Sequence, residues 1–126
     1  MKMHHICFAI CLTALLGNSQ SWASGDPKKG ADVFAEECGD CHSVAPGKNK
    51  KGPNLLGLNG RKAGSVVDFS GYSDAMKQSA IVWNPERIDA YITQPRKVVA
   101  GGKMKYDGLP DAGARADVIA YLTTLK

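Results

Sequence analysis

Histidine and cysteine are scarce in this chain, and their positions argue against several kinds of site. The 126 residues contain three histidines and four cysteines, and none of either lies beyond His42. A structural zinc site that used Cys38 and Cys41 would need two more ligands, and the chain after His42 supplies no Cys or His for it. The chain also has no βαβ pattern around this pair, which argues against a dithiol oxidoreductase of the thioredoxin type. There is no internal repeat and no low-complexity tract.

Long hydrophobic runs are also missing, and the one apolar run lies near the N-terminus. Residues 6–16 are mostly apolar, but this run is too short to span a bilayer. Lys2 precedes the run, and Ser21-Trp22-Ala23 follows it as a small-x-small cleavage pattern. These features predict a secretory signal peptide over residues 1–23 that is cleaved and leaves the mature protein in the periplasm. The alternative is an uncleaved membrane anchor.

Cleavage would leave residues 24–126 as one small domain with few metal ligands. Its formal net charge would fall from +4 to +3, because Lys2 is the only charged residue removed. This charge is mild, and we expect no nucleic-acid partner. A domain of this size has a thin hydrophobic core, which a buried cofactor would enlarge.

The stretch Cys38-Gly39-Asp40-Cys41-His42 is typical of a covalent c-type haem attachment site. Each thiol forms a thioether with one haem vinyl group, and the spacing lets both sulfurs reach neighbouring vinyls. His42 follows at once and is carried to the iron as a nitrogen ligand. We therefore predict one haem c, bound through Cys38 and Cys41.

Capping residues and apolar spacing predict helices separated by long loops. A first helix is expected to begin at Asp26-Pro27 and run into the haem motif, and the last helix near Asp111. Between them, shorter helices are expected from Ser73 and from Asn84 to about Gln94, with loops over residues 44–71 and 95–109. An irregular segment as long as residues 44–71 is easier to accept in a small domain when it surrounds a ligand.

The second axial ligand must come from the two methionines that remain, Met76 and Met104. Met76 falls in a short predicted helix, where packing in the core explains it. Met104 lies in a glycine-flanked loop that can bend its backbone toward the iron. Because a His/Met pair is typical of electron-transfer haems, we assign Met104 as the ligand with His42.

A family resemblance covers nearly all of the chain after the signal peptide. The chain resembles the class I soluble cytochromes c, the mitochondrial-type proteins and their bacterial periplasmic relatives. The matching positions are Gly30, Phe34, Cys38, Cys41, His42, Gly52-Pro53-Asn54-Leu55, Gly60-Arg61-Lys62, Phe69-Ser70, Tyr72-Ser73-Asp74-Ala75, Trp83, Tyr91, Pro95-Arg96-Lys97, Lys103-Met104 and residues 115–122.

The resemblance implies an all-α, small single-domain class I cytochrome c fold with long loops around one covalently bound haem. It also implies roles for residues outside the motif. Pro53 resembles the residue whose carbonyl accepts the other ring N–H of the ligand histidine. Arg61, Tyr72 and Trp83 resemble donors to an inner haem propionate, and Tyr91 resembles the residue whose hydroxyl bonds the ligand sulfur. Gly30, Phe34, Val118 and Tyr121 resemble the crossing of the first and last helices.

The function implied is a soluble periplasmic electron carrier with a six-coordinate haem, and not an enzyme. The resemblance implies a membrane quinol–cytochrome c reductase as donor and a terminal oxidase or another reductase as acceptor, met by a monomer in transient docking. The alternatives are a haem enzyme or gas-binding protein with a labile Met104, and a haem-free thiol oxidoreductase. Departures from the family pattern concentrate near Met104: Ala100-Gly101-Gly102 replaces the common Pro-Gly-Thr, and Tyr106 stands where Phe is common. Glu37 stands where the animal proteins carry Lys.

Overall fold

The computed structural model describes residues 24–126, so the signal peptide expected over residues 1–23 lies outside the described residues. Five helices form in the described part. They are α1 (Pro27–Glu37), α2 (Asp74–Gln78), α3 (Pro85–Thr93), α4 (Pro95–Val98) and α5 (Ala112–Thr124). Residues 24–126 contain no strand beyond one isolated antiparallel bridge between Lys62 and Val82. The all-α prediction is confirmed.

Four of the helices begin where a helix start was predicted, and each has a capping side chain. In each, the cap oxygen accepts a hydrogen bond from a backbone N–H two or three residues later, at 2.6–3.0 Å. This satisfies one of the amides that a helix N-terminus otherwise leaves without a partner. The capping residues are Asp26, Ser73, Asn84 and Asp111.

The exception is α4, a four-residue helix in a segment for which we predicted only loop. Pro95 ends α3, as predicted, because a residue before proline avoids the helical conformation. Proline itself suits the first position of a helix, where no amide donor is needed. The Gln94 carbonyl accepts from Lys97 N at 3.1 Å and from Val98 N at 3.3 Å, which closes the short helix.

The first and last helices cross at Gly30, which forms the frame of the fold. A Cβ atom on Gly30 would lie 1.9 Å from the Asp117 carbonyl oxygen, so only glycine permits this approach. Phe34 packs on Tyr121 with ring centroids 5.8 Å apart, and Val118 is 1% exposed. The crossing that the resemblance implied is confirmed.

A single hydrophobic core extends from this crossing to the chain between α1 and α3. Its buried members are Phe34, Leu58, Ala63, Ile81, Trp83, Ile88, Tyr91, Val99, Val118, Ile119 and Leu122. The last helix, α5, contributes three of these residues, and because Val118 and Ile119 are adjacent in sequence, α5 is buried on more than one side. No helix among residues 24–126 is both long and apolar enough to cross a membrane.

Candidate haem site

A cavity of about 310 Å³ opens between the loops and the helical core, and its walls are mostly apolar. All nine predicted site residues line it: Cys38, Cys41, His42, Pro53, Arg61, Tyr72, Trp83, Tyr91 and Met104. Residues far apart in sequence thus meet in one place. Met76 lines the cavity as well, so position in the cavity wall alone does not show which methionine is the iron ligand.

Cys38 and Cys41 lie at the end of α1, where the chain leaves the helix. The backbone N–H groups of Cys41 and His42 both donate to the Cys38 carbonyl, at 3.1 and 2.9 Å, and this turn presents both thiols and the imidazole to the cavity. Neither thiol forms a disulfide. Burial raises the pKa of Cys38 to about 11, helped by the charge of Glu37 and by Cys41. Redox-active dithiols depend on a lowered thiol pKa, so this environment disfavours the thiol oxidoreductase alternative.

The imidazole of His42 is held by one nitrogen and leaves the other free. Its Nδ1–H donates to the Pro53 carbonyl at 2.7 Å, so Nε2 carries the lone pair. Burial lowers the pKa of His42, the Pro53 hydrogen bond acts in the opposite direction, and the charge of Arg61 adds to the lowering. A neutral, oriented imidazole is the form that binds a metal.

Gly52 is a site residue that the sequence analysis placed among the family-matching positions without assigning it a role. A Cβ atom at Gly52 would lie 2.3 Å from Cε1 of His42, so the absence of a side chain makes room for the ring. The Gly52 amide also donates to the Cys41 carbonyl at 2.8 Å. The signal that could have revealed this role is the glycine directly before Pro53, whose carbonyl must approach the same ring.

Asn54 is a second missed residue, and it organises the loop that carries Pro53. Its side-chain amide donates to the carbonyls of Ala45 and Lys48, the latter at 2.7 Å, and its Oδ1 accepts from Leu56 N at 2.8 Å. Asn54 is 8% exposed, so these bonds form in a nearly dry environment. The protein's own hydrogen bonds therefore fix the loop, and the loop holds the Pro53 carbonyl against His42.

Arg61 is half-buried at the cavity wall without a carboxylate partner in the described part of the chain. Its guanidinium donates instead to the carbonyls of Asn54 and Leu56, at 2.7 and 3.2 Å. Burial lowers the pKa of Arg61, against the effect of Tyr72. A buried cation is costly unless an anion pairs with it. A haem propionate is an anion of the right kind.

Backbone pairing brings Trp83 beside Arg61. The Trp83 N–H donates to the Arg61 carbonyl at 2.9 Å, next to the bridge between Lys62 and Val82. Tyr72 lies nearby in the wall; its hydroxyl accepts from Val66 N at 3.3 Å and its ring packs edge-on against Phe69. The three residues that resemble propionate donors therefore share one region of the cavity.

Tyr91 forms another part of the cavity wall, on α3. Its ring packs against Trp83 with centroids 5.1 Å apart, and burial raises its pKa to about 12. Its hydroxyl is therefore a hydrogen-bond donor at neutral pH.

The residues at this site fit a covalently held haem. Two thiols, an oriented imidazole and a thioether line one apolar cavity, and the half-buried Arg61 has no carboxylate partner among residues 24–126. Zinc fits poorly, since residues 24–126 contain no group of three or more His, Cys, Asp or Glu able to hold a metal ion.

Comparison with known proteins points to the same chemistry. The cytochrome c family model matches residues 27–126. A cytochrome c2 of Rhodopila globiformis is 47% identical over 102 residues, covering 81% of this chain and 95% of the relative. A cytochrome c of Gibberella zeae is 50% identical over 101 residues, covering 79% of this chain and 94% of the relative. A cytochrome c2 of Rhodomicrobium vannielii is 43% identical over 123 residues, which is 97% of each chain. The chain therefore belongs to the cytochrome c family: it is an electron carrier, not an enzyme, with one haem c attached through Cys38 and Cys41.

Proposed function

We propose that His42 and Met104 would be the two protein ligands of the haem iron and that the protein carries single electrons in the periplasm. The haem supplies the one-electron ferric/ferrous couple when bound. The observation that supports this most directly is the cavity itself, which joins the free Nε2 of His42 and the thioether of Met104 in one apolar space. A thioether favours the ferrous state and suits a carrier of high potential.

The other wall residues hold this arrangement in place. The Pro53 carbonyl fixes the His42 tautomer and strengthens the imidazole as a donor. Arg61, Tyr72 and Trp83 offer hydrogen bonds to an inner propionate, which lowers the cost of burying its charge. The Tyr91 hydroxyl would be the donor to the Met104 sulfur, a role that rests on the family resemblance and on both residues lining the cavity. Rigid ligands on a buried group limit rearrangement between the two oxidation states, and a carrier needs that.

The ligand assignment is tested by exchanging the two methionines separately. Met104→Ala should abolish the weak ferric methionine–iron band, whereas Met76→Leu should leave it, because Leu fills the same space without a sulfur. His42→Ala should prevent a stable haem protein. If the band survived Met104→Ala and vanished in Met76→Leu, the assignment would be wrong.

A haem enzyme or gas-binding protein is the second candidate, and one observation favours it. Residues 103–107, which include Met104, have few bonds to the rest of the protein. Carbon monoxide added to the reduced protein distinguishes the two functions. A six-coordinate carrier should react slowly or not at all, and rapid, full binding would favour the gas-binding function.

We place the mature protein in the periplasm, as a monomer that docks transiently. Two observations support the periplasmic location: residues 1–23 resemble a signal peptide, and the relatives include bacterial proteins named cytochrome c2. A membrane quinol–cytochrome c reductase would reduce it, and a terminal oxidase or another reductase would oxidise it. The mass of the purified holoprotein shows whether residues 1–23 have been removed. A chain that retained them would contradict cleavage of the signal peptide and the export that depends on it.

Docking is expected at the cavity mouth, where Lys103 and Lys105 are exposed. Arg96 adds less to this positive surface, because its guanidinium lies 3.7 Å from the Asp107 carboxylate. Lys103→Glu should slow association with an acidic partner surface at low salt more than Lys126→Glu does. Equal effects would mean that net charge alone matters.

A further inference from the structure

The chain around Met104 is fixed at both ends and almost free between them. On one side the Gly102 amide closes a turn onto the Val99 carbonyl at 3.1 Å. On the other, Arg115 Nη1 donates to the carbonyls of Leu109 and Pro110, each at 2.9 Å. Residues 103–107, here called the Met104 segment, lie between these anchors without helix or strand.

One hydrogen bond joins the Met104 segment to the rest of the described chain. The Tyr106 hydroxyl donates to Glu37 Oε2 at 2.6 Å, across 69 positions of sequence. This distance is typical of a hydroxyl bonded to a charged carboxylate. Burial and the bond to Glu37 raise the pKa of Tyr106, so the phenol keeps its proton. The segment's other polar contact, the ion pair of Arg96 and Asp107, is largely exposed.

Both partners of this hydrogen bond lie next to residues of the candidate haem site. Glu37 is the last residue of α1 and precedes Cys38, so it belongs to the part of the chain that the haem attachment fixes. Tyr106 follows Met104 by two positions, and both residues line the cavity. An anchor two residues from the sulfur restricts the backbone conformations through which Met104 could leave, and so lowers the entropy cost of keeping it bound.

We propose that the hydrogen bond between Tyr106 and Glu37 is a tie that positions Met104 in the cavity by holding its segment against the end of α1. This role rests on the proposed ligation by Met104. Tyr106 and Glu37 act through Met104 and touch no reacting atom, so they are positioning residues. The competing explanation is that the Tyr106 ring closes the cavity by packing alone, with the hydroxyl bond incidental.

The experiment measures the rate at which added imidazole replaces Met104 in the ferric holoprotein. Imidazole can bind only after the Met104 segment has opened, so this rate reports how readily the segment opens. Tyr106→Phe keeps the ring and removes the tie, and should speed entry about fivefold, the factor expected for one exposed hydrogen bond. Glu37→Gln keeps an acceptor oxygen and should have a smaller effect in the same direction. The double variant should match Tyr106→Phe alone, because both changes break the same bond.

Two matched variants control for lost charge and lost hydroxyl. Glu36→Gln removes the neighbouring exposed carboxylate, and Tyr121→Phe removes a hydroxyl at the helix crossing; neither should change the rate of imidazole entry. Amide hydrogen exchange at Gly102 and Leu109, whose N–H groups are bonded at the two ends of the Met104 segment, should quicken in Tyr106→Phe, while exchange in α1 and α5 stays the same. A change in α1 and α5 as well would indicate general destabilisation and contradict the tie.

The outcomes separate this inference from the ligation on which it rests. A ferric methionine–iron band in the unmodified protein, with equal imidazole rates in Tyr106→Phe and the unmodified protein, would overturn the tie and leave the ligation intact. Simple additivity of the two single effects would also overturn it. Absence of the band from the unmodified protein would overturn the ligation and the tie together.

Discussion

The two segments that would supply the axial ligands are held in very different ways. The loop of residues 43–61, here called the His42 loop, has a dense network of hydrogen bonds around Asn54, Gly52 and Arg61. The Met104 segment has one hydrogen bond and one exposed ion pair to the rest of residues 24–126. The His42 loop is held by many hydrogen bonds within the protein, whereas the Met104 segment depends mainly on the bond that Met104 itself would form.

This difference predicts which of the two segments opens first. Opening the His42 loop breaks several buried hydrogen bonds at once, each worth about 1 kcal/mol. Opening the Met104 segment breaks one exposed bond and the methionine–iron bond. Local openings follow the lowest free energy, so Met104 should be displaced while His42 stays in place.

The largest effect is expected from Gly52→Ala on the histidine side. The new Cβ would lie 2.3 Å from the His42 ring, so the ring must move and its bond to Pro53 must weaken. Overpacking of this kind costs about 3 kcal/mol of unfolding free energy. Denaturant unfolding of the holoprotein measures it.

The matched change on the methionine side is Gly102→Ala. Its new Cβ would lie 3.1 Å from the Val99 carbonyl oxygen, a tight contact that a small shift relieves. We expect a loss below about 1 kcal/mol. Similar losses in the two variants would show that the two sides are equally rigid and would contradict the comparison.

Asn54→Ala should come next, with a loss of about 2 kcal/mol, because three side-chain hydrogen bonds disappear from a buried position. Asn59→Ala is the control, since Asn59 is exposed in the same loop. Imidazole entry should hardly change in Asn54→Ala, because the damage lies on the histidine side. A loss no greater than that of Asn59→Ala would mean that the network does not support the loop.

The sequence predicted the local features of this molecule well and the long-range ones only through resemblance. Helix caps such as Asp26 and Asn84 act within three residues, so their chemistry is visible in the chain itself. Gly52 matters because of the ring of His42, ten positions away, and no local rule marks such a residue. The bond from Tyr106 to Glu37 spans 69 positions and is invisible before folding. The helix α4 was missed because Pro95 both ends one helix and begins another.

A smaller effect, of opposite sign, is expected from Ala100→Pro on the methionine side. Ala100 precedes Gly101, whose φ of +84° and the bond from Gly102 N to Val99 O fit a type II turn. Proline is favoured at the position of Ala100, and Val99, with φ −124° and ψ 85°, lies outside the helical region that a residue before proline avoids. The change should stabilise the turn by about 0.5 kcal/mol.

The readout of Ala100→Pro is the temperature at which the ferric methionine–iron band disappears, which should rise by about 3 °C. Gly101→Ala is the opposite change, because a left-handed φ strains any residue with a Cβ atom, and it should lower that temperature. A band that disappeared earlier in Ala100→Pro would mean that the turn does not control the release of Met104.

The smallest effect is expected from Asp107→Asn, and it tests what holds the methionine side. The side chains of Arg96 and Asp107 are 72% and 95% exposed, so solvent screens their attraction and the loss should stay below about 0.5 kcal/mol. Asp89→Asn is the contrast, because Asp89 accepts from Arg115 at 2.7 Å with both side chains largely buried. That change should cost about 2 kcal/mol, since it leaves a buried cation short of its partner. If Asp107→Asn released Met104 as readily as Tyr106→Phe does, the ion pair would hold the Met104 segment as well as the tyrosine hydroxyl. That result would contradict the conclusion that a single hydrogen bond ties the methionine side.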